Sequence, residues 1–267
     1  ATQLMAVIML VISVSPMLAP LAGSAVIALA DWRWIFALLA GAAVLSFLVT
    51  LLAQPETLPV ERRVPINAAS MLRGSKLLLT DPGFMGVTLI GGFGMASFFV
   101  FLASAPFVYV QQFGLTPTQF SLAFALNAIG FFSASQAAGW LGARMGMRRL
   151  VRRGIAGFAL FAILLFGIAL TGTITLPLVM AGLFCANSCL GVVIPTAMVL
   201  ALDDHGENAG LASSLGGTLQ MLAAGLMMAA AGPFFDGTAQ PMLAAIALCG
   251  VIAMGLTAAM LPREQTA

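Results

Sequence analysis

Residues 84–110 read FMGVTLIGGFGMASFFVFLASAPFVYV, twenty-seven positions without a charged side chain. Wound as an α-helix at 1.5 Å per residue, this stretch would be ~40 Å long. That exceeds the ~30 Å hydrocarbon layer of a bilayer. A barrel strand would instead alternate apolar and polar residues, whereas Phe98, Phe99, Val100, Phe101 and Leu102 follow one another directly. Working outward, seven further runs of the same character lie at 4–29, 34–54, 118–142, 154–172, 177–200, 209–232 and 241–261. The chain is therefore predicted to be an all-α, polytopic transmembrane helical bundle with about eight spans.

The composition agrees with that reading. Only 7% of the 267 residues are charged and 61% are hydrophobic, with a mean hydropathy of +1.08. Water-soluble chains carry about 25% charged residues, and no soluble fold of this size has enough interior to hide so much apolar surface. In lipid each backbone donor and acceptor must be satisfied within the chain, which helices do. No basic face for nucleic acid exists. Cys185, Cys189 and Cys249 fall inside apolar runs and the single His205 lies in a polar interval, so neither a metal site nor a cofactor is expected. An enzyme of the membrane would need a nucleophile, carboxylate or metal set. The nearest approach, Asp203-Asp204-His205-Gly206-Glu207, reads as a solvated connector ahead of a capping Asn208.

Positive charge sets the orientation. The interval 55–82 carries four Lys/Arg (Arg62, Arg63, Arg73, Lys76), the interval 143–153 carries five arginines, and the tail carries Arg263. Threading eight spans places all of these on one side and Arg33 alone on the other. Cytoplasmic loops are the Lys/Arg-rich ones, so the C-terminus is predicted to be cytoplasmic. Two helix starts are also explicit. Thr116-Pro117-Thr118-Gln119 combines a cap, a first-turn proline and a capping-box glutamine, and Pro82 sits at a similar first-turn position.

Within the 84–110 run, Gly94, Ser97, Phe101 and Ser104 recur at spacings of three, four and three, one stripe of a helix. An aromatic and hydroxyl stripe suits a drug-like amphiphile, because a mostly apolar pocket with a few polar groups orients such a ligand. The alternative is a packing seam. Pro106 is expected to loosen the end of this helix near Tyr109. Asn127 and Gln136 are nine residues apart, as are Asn187 and Thr196. At about 100° per residue such pairs point to opposite faces, so at most one of each faces a shared path. Asn127 and Gln220 are assigned to it. No Asp, Glu, Lys, Arg or His falls near the middle of any run, although a proton-coupled antiporter needs a titratable group along its pathway.

Three stretches carry a wider likeness: Ser15-Pro16-Met17-Leu18-Ala19-Pro20-Leu21-Ala22-Gly23-Ser24 followed by Asp31-Trp32-Arg33-Trp34; Ser104-Ala105-Pro106-Phe107-Val108-Tyr109-Val110; and Gly210-Leu211-Ala212-Ser213-Ser214-Leu215-Gly216-Gly217-Thr218. Together they resemble the major facilitator superfamily, specifically its bicyclomycin-resistance (Bcr/CflA) drug-efflux branch. The resemblance implies that the runs match helices five to twelve of twelve. Residues 1–54 would then be the last two helices of the first half and 55–82 the central cytoplasmic loop. Residues 83–262 would be the complete second half and 263–267 a cytoplasmic tail. It further implies a monomeric secondary transporter of the bacterial inner membrane, exporting drugs or small amphiphilic metabolites by alternating access. Four more helices are expected ahead of Ala1, and with them the proton-coupling group. Transport of another solute, such as a sugar, amino acid or organic acid, is the alternative.

By the same resemblance Pro16, Ala19, Pro20 and Gly23 form the kinked, closely packed antiporter motif. Each proline removes a helix donor and bends the chain, while the small residues admit a neighbouring backbone. Gly139, Arg144, Gly146, Arg148 and Arg149 look like a partial copy of the superfamily's cytoplasmic signature. Ala143 stands where better copies carry an aspartate. Without that carboxylate the arginines are expected to act as anchors at the lipid headgroups.

Overall fold

The computed structural model describes residues 22–23, 25–27, 29–53, 68–203 and 209–261. Two compact units divide the chain at Ala68. In the first, residues 22–29 are helical where described, and a short turn leads into α1 (Arg33–Ala53). The turn is organised by Asp31, which accepts a hydrogen bond from Arg33 at 2.7 Å while the guanidinium lies over the Trp32 ring. Both charged side chains are largely exposed, so this ion pair contributes at most about 1 kcal/mol. Pro16, Ala19 and Pro20 lie outside the described residues, and Gly23 falls in a helical turn.

The second unit contains α2 (Ala68–Thr80), α3 (Pro82–Phe107), α4 (Pro117–Met145), α5 (Met147–Leu170), α6 (Leu176–Asp203), α7 (Ala209–Ala231) and α8 (Ala239–Met260). A five-residue π-turn, Val108–Gln112, extends α3, and a 3₁₀ turn, Gly232–Phe234, extends α7. Among the described residues, seven helices are long and apolar enough to cross a membrane, α1 and α3 to α8. They coincide with the last seven sequence runs. Most of the 4–29 run lies outside the described residues.

Two intervals differ from the sequence reading. The polar interval 55–82 contains α2, whose Leu78 is fully buried; the Arg and Lys count had masked an amphipathic repeat. The interval 143–153 is not an open loop, since α4 runs to Met145 and α5 starts at Met147. Gly146 alone makes the turn, at φ +83°, a conformation costly for any residue with a Cβ. Its five arginines therefore sit on two helix ends. The expected start signals are in place. Thr116 and Gln119 form a reciprocal capping box, and Asp81 caps α3 through the Gly83 N–H at 2.8 Å.

α3 is the central element, packed on α6, α7 and α8; α6 also packs on α4 and α5, and α5 on α8. The core between them is built from Ile90, Val100, Ile155, Phe158, Leu190, Val193, Met242 and Ile246. In lipid, apolar side chains gain little from leaving the solvent, so close packing must hold helices together. The tightest approach is between α6 and α4. A Cβ at Gly191 would overlap the Phe131 carbonyl of α4. Gly130, next to Phe131 in α4, lies in the same seam against Phe184 and Ser188. Gly191→Ala is accordingly expected to lower stability by about 1–3 kcal/mol. Gly167→Ala, on open space in α5, should be neutral or stabilising. Thermal unfolding of the two purified variants measures the contrast, and equal melting points would contradict it.

Candidate functional site

The hydroxyl and aromatic stripe of α3 is enclosed rather than open. Gly94 faces Leu190 and Ile194 of α6. Ser97 is buried, and Phe101 stacks on Phe124 of α4 with ring centroids 6.0 Å apart and planes within 3°. Phe98 meets Phe131 at 5.2 Å, which extends the aromatic contact along the same two helices. Offset and tilted pairs of this kind add ~0.5–1.5 kcal/mol beyond area burial. In this structure the stripe is thus part of the α3–α4–α6 packing. Ser104 is 4% exposed, and its hydroxyl has no hydrogen-bond partner among the described residues.

The end of α3 departs from α-helical geometry for a local reason. Pro106 lacks the N–H that would bond the Leu102 carbonyl. Beyond it the ladder widens, with Phe113 N–H donating to Val108 and Leu115 N–H to Tyr109. The turn swings Tyr109 inward to 1% exposure, between Phe113 and Phe120. Its hydroxyl is without a hydrogen-bond partner among the described residues. The same turn brings Gln112 to the start of α8, where its side-chain oxygen accepts the Ala239 N–H. Pro106 marked the break in the sequence, but nothing there marked the tie. The partner is 127 residues away.

Asn127, assigned to the path from sequence, lies in the α4–α6 seam. It is 2% exposed, and its side-chain oxygen accepts from the Asn187 amide at 3.2 Å. The Asn127 amide in turn reaches the Ala123 carbonyl at 3.4 Å. Gln136, half a helical rotation away, sits on the exposed side of α4. Asn187 and Thr196 are both buried, and Thr196 bonds its own backbone at Val192. Gln220 is buried against Gly91 and Gly92 of α3, where only a missing Cβ leaves room for its amide. Ser214 and Thr218 occupy the exposed side of α7 and bond their own helix.

The signature-like segment 139–149 occupies the turn between α4 and α5. Arg144 stacks over Trp140, its guanidinium carbon 4.0 Å from the ring centroid. This aromatic–cation pairing fits the membrane interface, and the charge complements the C-terminal end of α4. Gly139 is exposed and Gly146 makes the turn. Arg148 and Arg149 are exposed on the first turn of α5, with Arg148 beside Leu200, Ala201 and Met260. Among the described residues no cluster of His, Cys, Asp and Glu could hold a metal ion.

A family model described as Major Facilitator Superfamily matches residues 1–228. An uncharacterised MFS-type transporter, YdgK of Bacillus subtilis, is 30% identical over 256 residues, 94% of this chain and 62% of that protein. A bicyclomycin resistance protein homolog of Haemophilus influenzae is 25% identical over 253 residues, 95% of this chain and 63% of its own length. The multidrug resistance protein MdtM of Escherichia coli K12 is 30% identical over 120 residues, 45% of this chain and 29% of that protein. The chain thus spans about three fifths of the length of the first two relatives.

The asparagine pair lends itself to a double-mutant cycle. Interhelical side-chain hydrogen bonds in membranes average about 0.6 kcal/mol and reach about 1.7. Asn127→Ala and Asn187→Ala should each destabilise, and the double variant should cost less than their sum by about that amount. Unfolding free energies in detergent measure the coupling, and strict additivity would show that the pair does not interact.

Proposed function

The chain belongs to the Major Facilitator Superfamily, and on that premise we propose that it forms the later part of a secondary transporter exporting drug-like amphiphiles. The observation that carries this reading is the match, along 95% of the chain, to a protein named for bicyclomycin resistance. Relatives named as multidrug transporters support it. We take α1 and the run before it as the last helices of one half, and α3 to α8 as the other half. The arginine-rich turn and the C-terminus are assigned to the cytoplasm, in a bacterial inner membrane.

The substrate path follows from which polar side chains are exposed. Ser133 and Gln136 of α4 and Ser214 and Thr218 of α7 occupy exposed sides of the two helices. A lipid-facing surface has no use for such groups, which supports a water-accessible path beside them. Gly94, Ser97, Phe101, Ser104, Tyr109, Asn127 and Gln220 form the layer behind, giving that wall its shape; rocking of one half against the other would alter their access. Small-molecule substrates of this kind bind through apolar area, with hydroxyl and amide groups setting orientation. Among the described residues no Asp, Glu, Lys, Arg or His lies mid-span, so proton coupling is assigned to other segments of the full-length protein.

Expressed as the full-length protein in efflux-deficient bacteria, the transporter should lower accumulation of an amphiphilic dye in energised cells. A protonophore should reverse the effect. Ser133→Trp should reduce efflux at least several-fold while Gly167→Ala leaves it unchanged. Accumulation indifferent to expression, across a panel of amphiphiles, would contradict the assignment.

A further inference from the structure

Four of the first seven residues of α5 are arginines, Arg148, Arg149, Arg152 and Arg153. No acidic residue stands in that first turn, and the N-cap, Gly146, has no side chain to close it. The N-terminal end of a helix is its positive end, so cations gathered there are unfavourable by themselves and an anion is favoured. Arg144 adds a fifth guanidinium from the last turn of α4. Arg144, Arg152 and Arg153 make no ion pair among the described residues. Arg153 reaches back across the turn to the Met145 sulfur, 3.2 Å away, a partner without charge.

A groove runs from these arginines along the spanning helices. α4 and α5 both pack along α6, yet beyond Gly146 they make few contacts with each other. α6 meets α4 through Phe184, Ser188 and Gly191, and α5 through Cys189 and Val193. At about 100° per residue, Cys185, Val192 and Val199 fall between those two contacts, and all three retain accessible surface. They form the floor of the groove. Along its α5 side, Arg149, Arg153, Ala156, Leu160 and Leu164 recur at spacings of four, three, four and four, one exposed stripe. Arg153 and Leu164 are eleven residues apart, about 16 Å along a helix, which matches half of a ~30 Å hydrocarbon layer.

We propose that this groove holds one anionic phospholipid of the phosphatidylglycerol class. Its phosphate lies between Arg144 and Arg153, with Arg149 adjoining, and an acyl chain follows Leu160 and Leu164 over the floor made by α6. Guanidinium forks match phosphate oxygens in geometry as well as charge. A zwitterionic lipid would carry its own cation into a cluster of guanidinium groups. A soluble anion would meet the charges but leave the apolar stripe uncovered. Loose anchoring among headgroups needs no groove, whereas here the groove leads one acyl chain away from the arginines. The site rests on α4, α5 and α6 crossing the membrane, and not on the transport reading.

The test is titration of the purified full-length protein with phosphatidylglycerol in an uncharged detergent, the bound lipid being counted by native mass spectrometry. Phosphatidylcholine and glycerol 3-phosphate are the zwitterionic and the soluble probes. The wild type should prefer phosphatidylglycerol to both. Arg153→Gln and Arg144→Gln should each weaken its binding about fivefold, the usual effect of one basic side chain at an anionic lipid surface. Cys185→Trp, which fills the floor without touching the charge, should also weaken it. Arg33→Gln, outside the second unit, should not. Thermal unfolding without added lipid checks that each variant is folded. Equal affinity for phosphatidylglycerol and phosphatidylcholine would overturn the proposal, as would wild-type affinity in Arg153→Gln and Cys185→Trp. Glycerol 3-phosphate binding as tightly as the lipid would overturn the role of the groove. Each of these failures would leave the efflux result untouched.

Discussion

The second unit depends on how closely α6 can approach α4. With the Phe131 carbonyl pressed on the Cα of Gly191, the two backbones meet with no side chain between them. That contact fixes the rest of the seam, since residues one turn away on either helix are carried into reach. Gly130 then receives Phe184 and Ser188, and Asn127 meets Asn187. A hydrophobic driving force cannot choose this arrangement in lipid, because every apolar surface is equally well solvated there. Shape and a few polar pairs choose it instead. The asparagines make any other rotation of α4 costly, because a buried amide without a partner loses about 1–3 kcal/mol.

α3 fits against this pair through aromatic rings on one side and glycines on the other. Phe98 and Phe101 meet α4, while Gly91 and Gly92 admit Gln220 of α7. One helix thereby touches neighbours of two kinds. The Pro106 break then allows its far end to turn and tie to α8 through Gln112. The result is a tightly packed arginine-bearing portion and a looser opposite end, where cavities of about 620 and 380 Å³ lie.

Much of the helical layout was legible because membrane spans are written in continuous apolar runs, and caps such as Thr116 and Gln119 are written in residue identity. The α4–α5 turn was read too long, because both helices continue into the arginine-rich interval and one glycine at positive φ makes the turn. Leu78 and its neighbours were hidden in the other charged stretch, 55–82. At the candidate site, the nine-residue spacing separated Asn127 from Gln136 correctly but could not say which one faced a partner helix. That choice rests on Gly191 and Asn187, sixty or more residues away. The stripe of α3 was read as a stripe, yet periodicity alone does not tell an open wall from a packed seam. The tie from Gln112 to Ala239 had no local signature.

The most direct test of the α4–α6 seam is disulfide formation in native membranes between cysteines placed at Gly130 and Ser188. The full-length protein would lack its other cysteines and carry a protease site in the α5–α6 turn. The Gly130 Cβ position lies 2.6 Å from the Ser188 hydroxyl oxygen, so mild oxidant should hold the two proteolytic pieces together until reductant is added. Pieces that separate without reductant, while a control pair joining Gln136 to Thr196 cross-links, would contradict the packing on which the whole unit rests.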